Sequence, residues 1–224
     1  MRNKILQILR ESGDKYISGE EMADKLGVSR TAVWKHIKEM RAQGYDIESH
    51  ARKGYVLKEA PDALLTGEIA HDLQTSVIGQ NIICHEEIDS TNNEAKRLAR
   101  EGAAEGTVVV AECQTGGKGR LERRFFSPKG KGIWFSVILR PKFLPQEAPK
   151  CTLMAAVAVA RAMTEFNLKP GIKWPNDLLY ENKKLVGILT EMSAEMDGIN
   201  YIVIGTGINV NIEQSEFPED IRAV

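Results

Sequence analysis

The chain has 224 residues, is 42% hydrophobic and 27% charged, and sets 30 Lys+Arg against 31 Asp+Glu. Those values describe a globular protein with a sizeable core and exclude fibrous, disordered and uniformly basic classes. The longest wholly apolar run, 153–160, falls far short of the roughly 20 residues that a membrane span needs.

The first residues, Met1-Arg2-Asn3-Lys4, lead into a helical pattern rather than a signal peptide, so a cytoplasmic protein is expected. Cys84, Cys113 and Cys151 are widely spaced and odd in number, which gives neither a disulfide framework nor a metal motif. Charge is uneven along the chain. Residues 1–58 hold 12 Lys+Arg against 8 Asp+Glu, and 59–224 hold 18 against 23, an asymmetry that directs a polyanion to the N-terminal segment.

In chain order, Ile5, Leu6, Ile8 and Leu9 fall on one side of a helix over 3–11. Ser18-Gly19-Glu20-Glu21 is a capping-box pattern that opens a second helix with Met22, Ala23 and Leu26 as its apolar face. Gly27-Val28 makes a turn, Ser29 caps a third helix reaching Gln43, and Gly44 stops it. That is helix-turn-helix spacing. Val33, Ile37 and Met40 form the core face of the third helix, leaving Arg30, Thr31, Lys35 and Lys38, with Ser29 at its start, to meet phosphates and base edges. Trp34 reads as a packing residue. Two short strands around His50-Ala51-Arg52-Lys53-Gly54 make a wing whose Arg52 and Lys53 reach a nucleic-acid backbone. Residues 59–65, with Pro61 and no periodicity, form a linker, giving a DNA-binding domain at 1–58 and a second domain at 66–224.

The second domain mixes strands at 82–88, 107–113, 133–139, 184–192 and 200–210 with helices at 92–100 and 150–166. Thr91 and Glu94 supply a capping-box pattern for the first of these helices. Neighbouring hairpin-like strands with few helices between them predict an α+β fold with a mixed sheet, not a doubly wound one. Gly205-Thr206-Gly207 lacks the third glycine of a dinucleotide fingerprint, and Gly117-Lys118 lacks the Ser or Thr of a P-loop. What remains is a basic glycine loop, with six Lys+Arg against one Glu over 118–131, and the block Lys173-Trp174-Pro175-Asn176-Asp177. Two cationic elements facing one pocket indicate a substrate that carries phosphate or carboxylate.

Asp89-Ser90-Thr91-Asn92, Gln114-Thr115-Gly116-Gly117-Lys118-Gly119-Arg120, the Lys173–Asp177 block, Lys184-Leu185-Val186-Gly187-Ile188-Leu189 and Gly205-Thr206-Gly207-Ile208-Asn209 follow one another behind a winged helix-turn-helix. In this combination the chain resembles the bifunctional biotin protein ligases that double as biotin operon repressors, over residues 1 to about 212. The resemblance implies a biotin ligase-like catalytic domain, activation of biotin by ATP and Mg²⁺ to biotinyl-5′-adenylate, and transfer to a lysine of a carboxylase biotin carrier domain. It also implies operator binding by a homodimer that forms on ligand binding, and no membrane partner. By the same resemblance Ser90, Thr91, Asn92, Gln114, Lys118, Gly119, Arg120, Lys173, Gly187, Gly205 and Gly207 contact biotin. Lys118, Arg120, Asn176 and Asn209 contact the nucleotide, and Lys173 and Arg120 are catalytic; no metal ligands are assigned.

Three positions depart from the family pattern. Lys118 stands for an Arg, Glu122 for a Gly and Phe125 for a Trp. Lys lacks the bidentate fork of Arg, and Glu122 brings a negative charge near an anionic product, so weaker adenylate retention is expected. The chain also ends soon after the last motif, where family members continue into a small C-terminal β domain, so either a fragment or an abbreviated enzyme without that domain is expected. Two alternatives stand beside the ligase: a biotin-sensing repressor with a degenerate, inactive ligase domain, and the related lipoate-attaching enzymes, which the helix-turn-helix disfavours.

Overall fold

The computed structural model describes residues 1–195 and 198–221, and these divide into two compact units, Met1–Asp72 and Leu73–Val224. In the first unit, α1 (Arg2–Ser12), α2 (Gly19–Leu26) and α3 (Arg30–Ala42) precede a two-stranded antiparallel wing, β1 (Asp46–His50) and β2 (Gly54–Glu59). Both predicted caps are made. Ser18 accepts from the Glu21 amide at 3.0 Å and Ser29 from the Ala32 amide at 3.1 Å, each satisfying a first-turn N–H that has no helical partner. Gly27 ends α2 in the left-handed region at φ 65°. Ile5, Leu9, Met22, Val33, Ile37 and Met40 close a fully buried core.

The expected boundary at 59–65 lies inside this unit. A short turn of helix, α4 (Thr66–Ile69), belongs with it because Glu68 accepts from Arg10 at 2.6 Å and from the Tyr45 hydroxyl at 2.7 Å. Two buried-side partners on one carboxylate hold the segment more firmly than its low periodicity indicates. The division falls after Asp72 instead.

The second unit is built on a seven-stranded mixed sheet. Its strands are β3 (Ile82–His85), β4 (Val108–Ala111), β5 (Gly132–Leu139), β6 (Gly171–Lys173), β7 (Asp177–Tyr180), β8 (Lys183–Glu195) and β9 (Gly198–Asn209), ordered β3-β4-β5-β9-β8-β7-β6. Among the described strand pairs only β3–β4 is parallel. A helix covers each face: α5 (Thr91–Arg100) and α6 (Pro149–Thr164). The two-residue period of β9 separates them, since Tyr201 and Val203 pack with Ala95 and Ala99 of α5, while Ile202, Ile204 and Ile208 pack with Cys151 and Ala156 of α6. No helix among the described residues is long and apolar enough to cross a membrane.

The Lys173–Asp177 block, read from the sequence as a site element, is the turn of a hairpin. Lys173 of β6 pairs with Asp177 of β7, and Trp174, Pro175 and Asn176 connect them at the edge of the sheet.

Candidate functional site

On the α5 face of the sheet, cross-strand pairing aligns three glycines: Gly207 opposes Gly187 on β8 and Trp134 on β5, and Gly205 opposes Ser136. The sequence reading assigned these glycines to close approach of a flat ligand. All three line the cleft, and their missing side chains also seat two protein groups. A Cβ on Gly207 would lie 2.5 Å from the Phe125 ring and one on Gly187 would lie 2.6 Å from it, whereas one on Gly205 would lie 2.0 Å from Asn92 Oδ1. Phe125 therefore lies flat on a two-glycine platform, edge-on to Trp134 with centroids 5.8 Å apart.

The first turn of α5 supplies neutral polar groups. Ser90, Thr91 and Asn92 are buried, as is Ser136 below them. Ser90, not Thr91, is the N-cap residue, and its side chain makes no capping bond. The Thr91 hydroxyl is drawn into the interior, where it lies 3.1 Å from Gln114 Oε1 and 2.8 Å from Ser136 Oγ, while Glu94 accepts from Arg97. Gln114 is held at both ends, accepting from the Thr91 amide at 2.8 Å and donating to Ser127 Oγ at 2.9 Å.

Asn92, expected to contact biotin, lines the cleft, and its amide is also bonded within the protein. Its Oδ1 accepts from Ser136 at 2.6 Å and its Nδ2 donates to Glu191 at 2.8 Å, with Lys96 bonded to the other Glu191 oxygen at 2.6 Å. Burial alone would raise the Glu191 carboxyl, but the hydrogen bonds from Lys96 and Asn92 outweigh it and hold the group below its ordinary range. A charged pair thus pins the amide that fills the Gly205 notch.

Three cations line the cleft above this floor: Lys118, Arg120 and Lys184. The first two belong to the basic loop, which is a hairpin tied by Gly119 N to Arg123 O at 2.7 Å and Phe125 N to Gly117 O at 2.9 Å. Lys118 Nζ donates to Asn93 Oδ1 at 2.7 Å, and Arg120 Nη1 donates to Asn176 Oδ1 at 2.9 Å. Leu121 and Glu122, at the tip, have φ of 54° and 60°. This is the left-handed region, where a β-carbon is strained and where the family pattern has a glycine in place of Glu122.

Lys184 is the residue that the sequence reading missed. Its ammonium sits 2.9 Å from Asp177 Oδ1 and 5.7 Å from the centre of the Phe125 ring. Simple alternation would point Lys184 away from Gly187. The β7–β8 register slips between Leu178 and Leu179, so that Leu178 pairs with Val186 but Leu179 with Lys184, leaving Leu185 without a partner. This one-residue irregularity re-aims Lys184 onto the face of Gly187, whose absent Cβ leaves room for its stem at 3.1 Å. Lys173, expected to be the key cation, is exposed on the edge strand and does not line the cleft. Asn209 is likewise outside the lining; its amide donates to the Lys184 carbonyl at 3.0 Å and so holds the strand that carries that lysine. Asn176 does line the cleft, anchored by Nδ2 to the Ile188 carbonyl at 3.1 Å. The cleft opens to solvent.

In the first unit, Arg30, Thr31, Lys35 and Lys38 are exposed along α3, and Arg52 and Lys53 are exposed at the wing. Ser29 is committed to its cap. Trp34 does not pack into the core: it is 54% exposed, with Lys38 Nζ 5.6 Å from its ring centre.

Residues 85–209 match the family described as biotin/lipoate A/B protein ligase, and residues 1–56 match an HTH domain family. The bifunctional ligase/repressor BirA of Bacillus subtilis is 46% identical over 225 residues, covering 100% of this chain and 69% of the relative. Its Escherichia coli counterpart is 34% identical, covering 95% of this chain and 64% of the relative. Among solved structures, the biotin protein ligase of Aquifex aeolicus in complex with biotin and ATP aligns with a TM-score of 0.52 at 36% identity, over 64% of this chain and 57% of that one. The Leishmania major enzyme in complex with biotinyl-5-AMP aligns with a TM-score of 0.50 at 29% identity, over 59% and 58%.

Proposed function

We propose that this chain, which belongs to the biotin/lipoate A/B protein ligase family, activates biotin with ATP, transfers it to a lysine of a carboxylase biotin carrier domain, and represses genes by ligand-dependent DNA binding as a homodimer. The observation that carries the reading is the pairing of chemistries in one cleft. Neutral hydroxyl and amide groups at Ser90, Thr91 and Gln114 lie beside three anchored cations, Lys118, Arg120 and Lys184. A ureido ring, which both donates and accepts, suits the neutral end. A carboxylate meeting a triphosphate suits the cationic end.

In the first step a biotin carboxylate oxygen forms a bond to the α-phosphorus, and the bond to the β-phosphate oxygen breaks, its electron pair leaving with pyrophosphate. Two anions must approach while negative charge grows on the leaving group, so fixed cations stabilise the transition state most where they need no reorganisation. Lys184 takes the role first assigned to Lys173. Asp177 and the Phe125 ring hold its ammonium, and Asn209 holds its backbone. Arg120, held by Asn176, and Lys118, held by Asn93, take the phosphate side. Asn92, Gly187, Gly205 and Gly207 line the floor on which biotin lies. In the second step the acceptor amine attacks the acyl carbon, AMP leaves, and the nitrogen loses a proton.

ATP brings Mg²⁺ on its own phosphates, where the ion offsets charge; among the described residues no group of three or more His, Cys, Asp and Glu could hold a metal. Cysteines at 84, 113 and 151 that form no disulfide among the described residues fit a reducing, cytoplasmic setting. Calorimetric titration with biotin, alone and with ATP, tests the reading: saturable binding that weakens about tenfold or more in Thr91→Val is expected, and a chain that takes up no biotin contradicts it.

A further inference from the structure

Along α3 the buried residues Val33, Ile37 and Met40 define one face, and the row Arg30, Trp34, Lys38, spaced four apart, runs along its flank. Trp34 is 54% exposed in the middle of that row, with Lys38 over its ring and the exposed Thr31 and Lys35 beside it. A large aromatic ring left in water by a helix whose core face is otherwise satisfied marks a contact surface. The surrounding cations select a polyanion as the occupant. In the major groove the base edges are polar except for one group, the C5 methyl of thymine.

We propose that Trp34 lays its indole against a thymine methyl in the major groove and thereby sets sequence preference, while Arg30, Lys35 and Lys38 bind phosphates. The proposal rests on the DNA-binding part of the function given above. It makes Trp34 a specificity residue, not a packing one, and it predicts a base position at which only the methyl group matters.

The test uses the full chain with biotin and ATP to select duplexes from a random-sequence pool, then replaces each thymine of the selected site singly with 2′-deoxyuridine. At one thymine per half-site, removal of the methyl weakens binding about fourfold, the effect of one buried methyl group. In Trp34→Ala, binding is weaker from the outset and the same replacement has no further effect. Trp34→Phe keeps part of the methyl dependence. Unchanged thermal unfolding of both variants shows that the fold is intact, and Trp34→Gln repeats the measurement with a polar side chain. A wild-type chain indifferent to every replacement, or a Trp34→Ala chain with the full methyl penalty, overturns the proposal. Selection of no duplex at all overturns the DNA-binding reading itself, and the proposal falls with it.

Discussion

The two units hold their cations differently, although Lys118 and Arg120 of the cleft are exposed, as are those of α3. On α3, Arg30, Lys35 and Lys38 project into solvent. In the cleft, Lys118, Arg120 and Lys184 are each fixed by a named partner within 3 Å: Asn93, Asn176 and Asp177. Charges of the first kind act by number, through release of counterions from a polyanion, and no single one is decisive. Charges of the second kind act by position, because a preorganised cation stabilises a transition state that a mobile, hydrated one does not. Similar side chains therefore carry very different mutational weight depending on what holds them.

The largest predicted effect follows from that contrast within a single hairpin neighbourhood. Lys184→Ala cuts single-turnover adenylate formation by roughly 10²-fold or more, while Lys173→Ala, at an exposed edge, changes it by no more than about threefold. The reverse ranking would show that the fixed cation has been assigned to the wrong strand.

Next in size is the glycine platform. Gly207→Ala drives a methyl to 2.5 Å from the Phe125 ring and displaces it, so biotin affinity should drop about tenfold, as expected for 1–3 kcal/mol of overpacking. Calorimetry with an unchanged affinity would mean that Phe125 is not part of the ligand wall.

On the dispersed side, Arg30→Ala with Lys35→Ala should lower the slope of log binding constant against log salt by roughly 2, near 0.9 for each phosphate contact. Adenylate formation by the same double variant should not change. A DNA slope left intact would break the comparison from its other end.

The smallest effect concerns the loop tip. Glu122→Gly relieves a side chain at φ 60° and should stabilise the chain by about 1 kcal/mol in thermal unfolding. It also removes a carboxylate near the phosphate side, so adenylate should be retained longer. A variant no more stable than the parent would show that the positive φ carries no strain.

Features governed by local pattern could be read from the chain alone. Ser18 and Ser29 cap because their hydroxyls need only an amide three residues on, and β9 shows itself through an apolar run that both faces bury. Features set by tertiary pairing could not. Alternation places Lys184 on the wrong face because nothing local announces that Leu185 is skipped by β7. Lys173 and Asn209 carry the signature of the motif but not the position of the site: one lies on an edge strand, and the other spends its amide on the backbone of Lys184. Thr91 matched a capping pattern, yet the half-buried Gln114 and the buried Ser136 compete for its hydroxyl. Trp34 reads as a packing residue from the chain alone, although it shares an exposed row with Arg30 and Lys38, four residues away on either side.

The central claim is that fixed cations in this cleft join biotin to ATP, and pyrophosphate release on rapid mixing of the chain with biotin and MgATP tests it most directly. A burst close to one pyrophosphate per chain, absent without biotin and lost in Lys184→Ala, is the predicted result. A chain that binds biotin yet releases no pyrophosphate in any such mixture would contradict the account and leave a sensor in place of an enzyme.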